Sequence, residues 1–142
     1  MRVFLDTNIL MDAVEQRRFT EEANAILSLC SEGKLEAVTA TMSFATMAYL
    51  LRHYAKERIH GKFLQLCDFV KVVSVTTAQF ERAMAIAPVR DFEDLMQYEC
   101  AIDAECDVII SNNGRDFLEF SEIPVLSSSD FLISYFTHQT ES

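Results

Sequence analysis

The chain has 142 residues, half of them apolar, with only three glycines and two prolines. That suits one packed domain and excludes a loop-rich scaffold or a long flexible linker. The formal net charge of -10 excludes a surface that wraps nucleic acid through bulk positive charge, and leaves a cation-binding acid cluster or a basic partner as its readings.

Asp6 interrupts the N-terminal apolar run where a signal peptide would continue, and no stretch reaches the roughly 18 consecutive apolar residues of a membrane span. The cysteines at 30, 67, 100 and 106 show no two-residue spacing of a zinc or redox motif. They read as core thiols, which predicts a cytoplasmic protein without membrane attachment.

In chain order, the short apolar run 3–5 reads as a buried strand that delivers Asp6 to the sheet's rim. Thr20 is a candidate N-cap for a helix over 20–31, with Ala23, Ile26, Leu27 and Cys30 at helical spacing and Gly33 as its stop. A short strand is predicted over 36–39. A helix over 41–55 is apolar nearly all round and is expected to be buried. A mixed-face helix over 56–69 carries Lys56, Arg58 and Lys62, and a β-branched strand follows over 70–75.

Thr77 opens a helix that stops before Pro88, and Asp91 can cap another over 92–104. A strand over 107–110 ends in the polar run Ser111-Asn112-Asn113-Gly114. A short helix over 115–119, a strand over 124–126 and a helix over 129–136 complete the order, with 138–142 as a frayed tail of a single domain spanning 1–137. Strands alternating with helices predict an α/β fold with a parallel sheet of about five strands covered on both faces.

Three segments place carboxylates where strands or helices end: Asp6, the group Asp91, Glu93 and Asp94, and Asp116. The fourth strand of a doubly wound sheet usually neighbours the first, so these acids can converge at the carboxyl ends of the strands, where ligands bind in such sheets. Converging carboxylates repel and raise one another's pKa, and a hard divalent cation such as Mg²⁺ or Mn²⁺ relieves that repulsion. Each acid also has a plain reading. Asp6 and Asp91 can be caps, Glu93 and Asp94 can complement a helix dipole, and Asp116 can be a surface acid. Asp94, Tyr98 and Ala101 share one helix stripe, whose small residue suits a close approach to the sheet.

Val3-Phe4-Leu5-Asp6-Thr7-Asn8, the central stretch from Asp94 to Ala101 and the late run from Ile110 to Phe117 together resemble the PIN domain family, metal-dependent ribonucleases that include VapC-type toxins. A subgroup of that family opens its central helix Asp-Phe-Glu-Asp, as residues 91–94 do here. The resemblance implies a three-layer, Rossmann-like fold and hydrolysis of RNA phosphodiesters. Asp6, Asp94 and Asp116 would be catalytic and metal-holding, with Glu93 as a further candidate ligand. It also implies supporting roles for Asn8, Ser111 and Asn113, of which Asn8 and Asn113 have a local reading as turn residues as well. A homodimer and a basic, antitoxin-like protein are the implied partners. An acidic site needs cations elsewhere to attract RNA; Arg17, Arg18 and Arg52 are the candidate contacts, and Lys56, Arg58 and Lys62 are also available.

One departure stands out. The family supplies a glutamate from the helix after the second strand, and Tyr49 stands at the position aligned with it. A tyrosine, with its ordinary pKa of about 10, is no substitute for a carboxylate ligand at neutral pH. Glu93 from the flank, or Asp12, could restore the charge. The alternative function is therefore a catalytically weakened PIN-like module that binds RNA or a protein. A flavodoxin-like phosphate binder ranks below both, because no glycine-rich loop follows the first strand.

Overall fold

A computed structural model describes residues 1–86, 92–114, 117 and 120–141, with the side chains of 140 and 141 excepted. Five parallel strands form one sheet in the order β3-β2-β1-β4-β5: β1 (Arg2–Leu5), β2 (Glu36–Ala40), β3 (Val70–Val73), β4 (Val108–Ile110) and β5 (Val125–Leu126). β1 sits in the middle, with Phe4 opposite Val38 on one side and Ile109 on the other. The order reverses at β1, so the crevice between β1 and β4 is the topological switch point of the sheet.

The helices are α1 (Thr7–Val14), α2 (Thr20–Ser31), α3 (Thr41–Leu50), α4 (Lys56–Phe69), α5 (Thr77–Ala85), α6 (Phe92–Asp103) and α7 (Ser128–Glu141). The pleat of β1 splits its side chains between two cores, because successive residues of a strand point to opposite faces. Val3 and Leu5 join residues of α1, α2, α3, α4 and α7 on one face. Phe4 joins Tyr98, Cys100 and Ala101 of α6, together with Phe117, on the other. Val3, Phe4 and Leu5 are fully buried, which explains why an apolar run so short still holds the centre of the sheet.

The expected alternation of strand and helix holds, as does the stop at Gly33. That glycine has φ +76°, and the Gly33 and Lys34 N–H groups bond back to Cys30 and Leu29. This is a helix terminus that needs a left-handed residue. Tyr98 and Ala101 lie against the sheet as their stripe predicts.

Four details differ. α1 follows Asp6 at once, where the sequence was read only as polar residues after a strand. Thr20 is the first residue of α2 rather than its cap; its hydroxyl accepts from Arg17 N–H and donates to the Glu15 carbonyl. α3 is shorter than expected and is not enclosed. Tyr49 is 64% exposed and Leu50 45%, and the Arg52 guanidinium lies 4.1 Å from the Tyr49 ring centroid. An apolar circumference is thus not burial when a cation can cover one face. Finally, the last helix, expected over 129–136, is longer, since α7 continues through Glu141. Phe131 anchors α7 in the core and stacks on Tyr135. The proposed cap Asp91 and most of the short helix over 115–119 lie outside the described residues.

Candidate metal-binding cleft at the carboxyl end of β1

Asp6 ends β1 and begins α1, and both jobs follow from its backbone. Its φ and ψ of -67° and 156° are extended, and its side chain accepts the first N–H of α1, from Thr7, at 2.7 Å. The plain reading of Asp6 as a cap is therefore correct, and it does not exhaust the residue. Its second carboxylate oxygen accepts from Ser111 Oγ at 2.7 Å and from Asn8 Nδ2 at 2.8 Å. Ser111 is fixed in turn, because its hydroxyl accepts from Asn113 N–H at 3.0 Å.

Asp6 is 4% exposed. Burial pushes its carboxyl pKa up. Hydrogen bonds from Ser111, from the Thr7 N–H and from the Gln97 amide oppose that rise, and the charge of Glu93 adds to it. These donors are all neutral. A buried carboxylate held by neutral groups is a standing electrostatic cost, of the kind that a bound cation removes.

Around Asp6 lies a cleft of about 280 Å³, lined by Thr7, Asn8 and Met11 of α1, by Arg17, by Thr46 and Leu50 of α3, by Glu93, Asp94 and Gln97 of α6, and by Asn113. Of the residues picked from sequence, the structure thus brings together Asp6, Asn8, Arg17, Glu93, Asp94 and Asn113, with Ser111 bonded behind them. Arg18 lies over the Phe19 ring and Arg52 over Tyr49, and neither lines the cleft. Asp116 lies outside the described residues.

The expectation for Tyr49 needs correction. Tyr49 is on the solvent side and does not line the cleft; the α3 residues that do are Leu50 and, one helical turn before Tyr49, Thr46. Thr46 Oγ1 donates to Glu93 Oε1 at 3.3 Å, so α3 supports a carboxylate carried by α6 instead of supplying one. Asp12, the other candidate for the missing charge, is committed elsewhere. It is buried, lies 3.3 Å from Arg17 Nε, and accepts from Asn112 Nδ2 at 3.1 Å. Burial raises its pKa against the pull of Arg17 and Asn112.

Three residues escaped the sequence reading. Thr46 carries no charge to mark it. Gln97 lies four residues after Glu93 and three after Asp94, a spacing that puts it on the same helix face; it is 1% exposed, and its Oε1 has no hydrogen-bond partner. Asn112 stood out only as part of a polar run, yet its N–H donates to Asn8 Oδ1 at 3.1 Å and its Oδ1 accepts from Ser128 N–H at 3.0 Å.

The donor set fits a hard divalent cation in kind: carboxylates, amide oxygens and no thiolate or imidazole among the cleft residues. It is not a closed cage, since among the described residues no three acidic, histidine or cysteine side chains come together as a metal-holding group. Among those residues, no helix is long and apolar enough to cross a membrane.

Comparison with known proteins gives this geometry a context. Ribonuclease VapC1 of Aquifex aeolicus is 23% identical over 135 residues, which cover 92% of each chain. A structure of VapBC2 from Rickettsia felis, bound to a DNA fragment from its promoter, superposes with a TM-score of 0.68 at 15% identity, covering 88% of this chain and 97% of that one. VapC20 of Mycobacterium tuberculosis, a toxin that cleaves the sarcin-ricin loop, gives 0.66 at 15% identity, covering 84% and 95%. These likenesses agree on the fold, and the family model for the PIN domain matches residues 2–115, four-fifths of the sequence: the chain belongs to the PIN domain family.

Proposed function

We propose that this protein is a divalent-metal-dependent endoribonuclease, the toxin of a toxin–antitoxin pair, working in the cytoplasm with Mg²⁺ or Mn²⁺. The observation that carries this reading is the cleft at the switch point, where Asp6 is buried among neutral donors and faces Glu93 and Asp94. The relatives named above, a ribonuclease and an RNA-cleaving toxin, support RNA as the substrate.

In this reading Asp6, Glu93 and Asp94 hold the cation, with Asp116 as a further ligand from the segment after β4. When bound, the cation lowers the pKa of a water and neutralises charge on the phosphodiester. Asn8 and Ser111 fix the orientation of Asp6, as outer groups do for metal ligands. Arg17 supplies the positive charge at the cleft wall that an acidic site needs to receive a phosphate. The chain's net charge of -10 suits a basic antitoxin, and the protein works as a homodimer.

The weakened-module alternative rested on a missing carboxylate. The bond from Thr46 to Glu93 supports the active reading, because it gives the carboxylate of α6 a fixed place in the cleft. The test is cleavage of RNA in Mn²⁺ by the wild-type protein and by Asp94→Asn. Cleavage by the wild type alone is expected. Equal cleavage by both would exclude this cleft, and no cleavage by either would leave the binding module.

A further inference from the structure

Among the described residues two buried side-chain oxygens have no hydrogen-bond partner, Glu22 Oε2 and Gln97 Oε1, and only Gln97 lines the cleft around Asp6. The Gln97 side chain is 99% buried (1% exposed), in the second turn of α6, and it lines the cleft with Asp6, Glu93 and Asp94. Which way the amide points is settled by its neighbour. An ionised carboxylate only accepts, so the NH₂ group must face Asp6, and the carbonyl oxygen is the atom left over. That Oε1 has no donor in the protein. Leaving a buried carbonyl oxygen unpaired is costly, and an apolar side chain of similar length would avoid the cost. The sequence therefore keeps a polar group where the folded chain alone gains nothing from its oxygen.

We propose that Gln97 is part of the cation site: its NH₂ group holds Asp6, and its Oε1 is a neutral oxygen ligand for the divalent cation. The inference rests on the nuclease reading, because it requires that the cleft bind a cation. A neutral amide oxygen suits the position, since amide carbonyls are ordinary ligands of hard cations. It adds a donor beside Asp6, Glu93 and Asp94 without adding a further negative charge to repel the RNA backbone. It also gives a partner to an oxygen that no donor of the described residues satisfies.

Mn²⁺ binding, measured by calorimetry and by electron paramagnetic resonance on the full-length protein, tests the assignment together with the melting temperature in chelator. Gln97→Met should weaken Mn²⁺ binding about tenfold or more while leaving the metal-free melting temperature unchanged or higher. A residue with a merely structural role would do the reverse. Gln97→Glu guards against a misfolded methionine variant. A carboxylate in the ligand position should tighten Mn²⁺ binding and lower the metal-free melting temperature. Mn²⁺ affinity within twofold of wild type in Gln97→Met, or unimproved affinity in Gln97→Glu, overturns the inference. Wild-type binding lost in Asp6→Asn but kept in Gln97→Met would leave the nuclease reading standing and remove Gln97 alone. No binding by the wild type removes both.

Discussion

Helix α6 carries acids at both ends, and the two ends treat them in opposite ways. Near its C-terminus, Glu99 accepts from Arg82 Nε at 2.8 Å, and Asp103 accepts from Arg82 at 2.6 Å and from Gln79 Nε2 at 2.9 Å. Those acids meet a guanidinium and a capping glutamine from α5, and they fasten one helix to the next. Near the N-terminus, Glu93 accepts from the Thr46 hydroxyl at 3.3 Å, and the Asp6 it faces is held by neutral groups. A protein that merely needed to bury acids has shown at one end of the helix how it does so. Around Asp6 the hydrogen-bonding groups among the described residues are neutral instead, and that difference marks the cleft as a site.

Substitutions can break this contrast. Asp6→Asn should reduce RNA cleavage in Mn²⁺ by at least about 100-fold, because losing a ligand costs more than losing its outer support. Arg82→Ala should leave the cleavage rate unchanged and lower the melting temperature by several degrees, because it strands Glu99, which is 7% exposed. If Arg82→Ala removed activity as well, the two ends of α6 would not be separable.

Glu93→Gln should come next, with kcat down about 10- to 100-fold, and Thr46→Val should cost less than tenfold because Glu93 itself remains. Single-turnover cleavage assays distinguish the two. Tyr49→Phe, one turn further along α3, should change the rate by less than about twofold, since surface substitutions away from a site rarely matter.

The contrast also has a pH signature in the metal-free protein. Burial raises the folded-state pKa of Asp6 above its unfolded value of about 3.9. A carboxyl whose pKa is raised by folding contributes most stability below the unfolded value. That contribution is lost as pH climbs from there through the raised folded value. Thermal melts in chelator should therefore show stability falling over that window, with Asp12 adding in the same direction. Asp6→Asn should flatten the fall in part. At neutral pH, Mn²⁺ at about a hundred times its Kd should stabilise the wild type by about 2.7 kcal/mol and the variant by much less.

Much of this was legible in the sequence, because the signals were periodic or strongly placed. The β1 run ending in Asp6, the α6 stripe through Tyr98 and Ala101 and the stop at Gly33 each rest on local chemistry that the fold respects. Residues 7–14 were not read as a helix because its signal is compressed. Its cap, Asp6, is also the last polar word of a strand, and Asp12 points inward to Arg17 and Asn112 rather than out.

The Tyr49 misplacement has a different cause. Positions 46 and 49 are one turn apart on α3, separated by about 4.5 Å of rise, and sequence spacing alone does not say how far along a helix a cleft extends. Gln97 was missed because its importance lies in an unmade bond, which composition does not reveal.

Asn112 ties the cleft to the far end of the chain. One side chain joins Asp12 of α1 to the start of α7, while its backbone holds Asn8. Ser128 gives that side chain two donors, from its N–H and its hydroxyl. Shortening the protein before residue 128 would remove both and loosen the segment that presents Ser111 to Asp6. A tag, a fusion or a binding partner that shifts the root of α7 thus has a mechanical handle on the cleft without entering it.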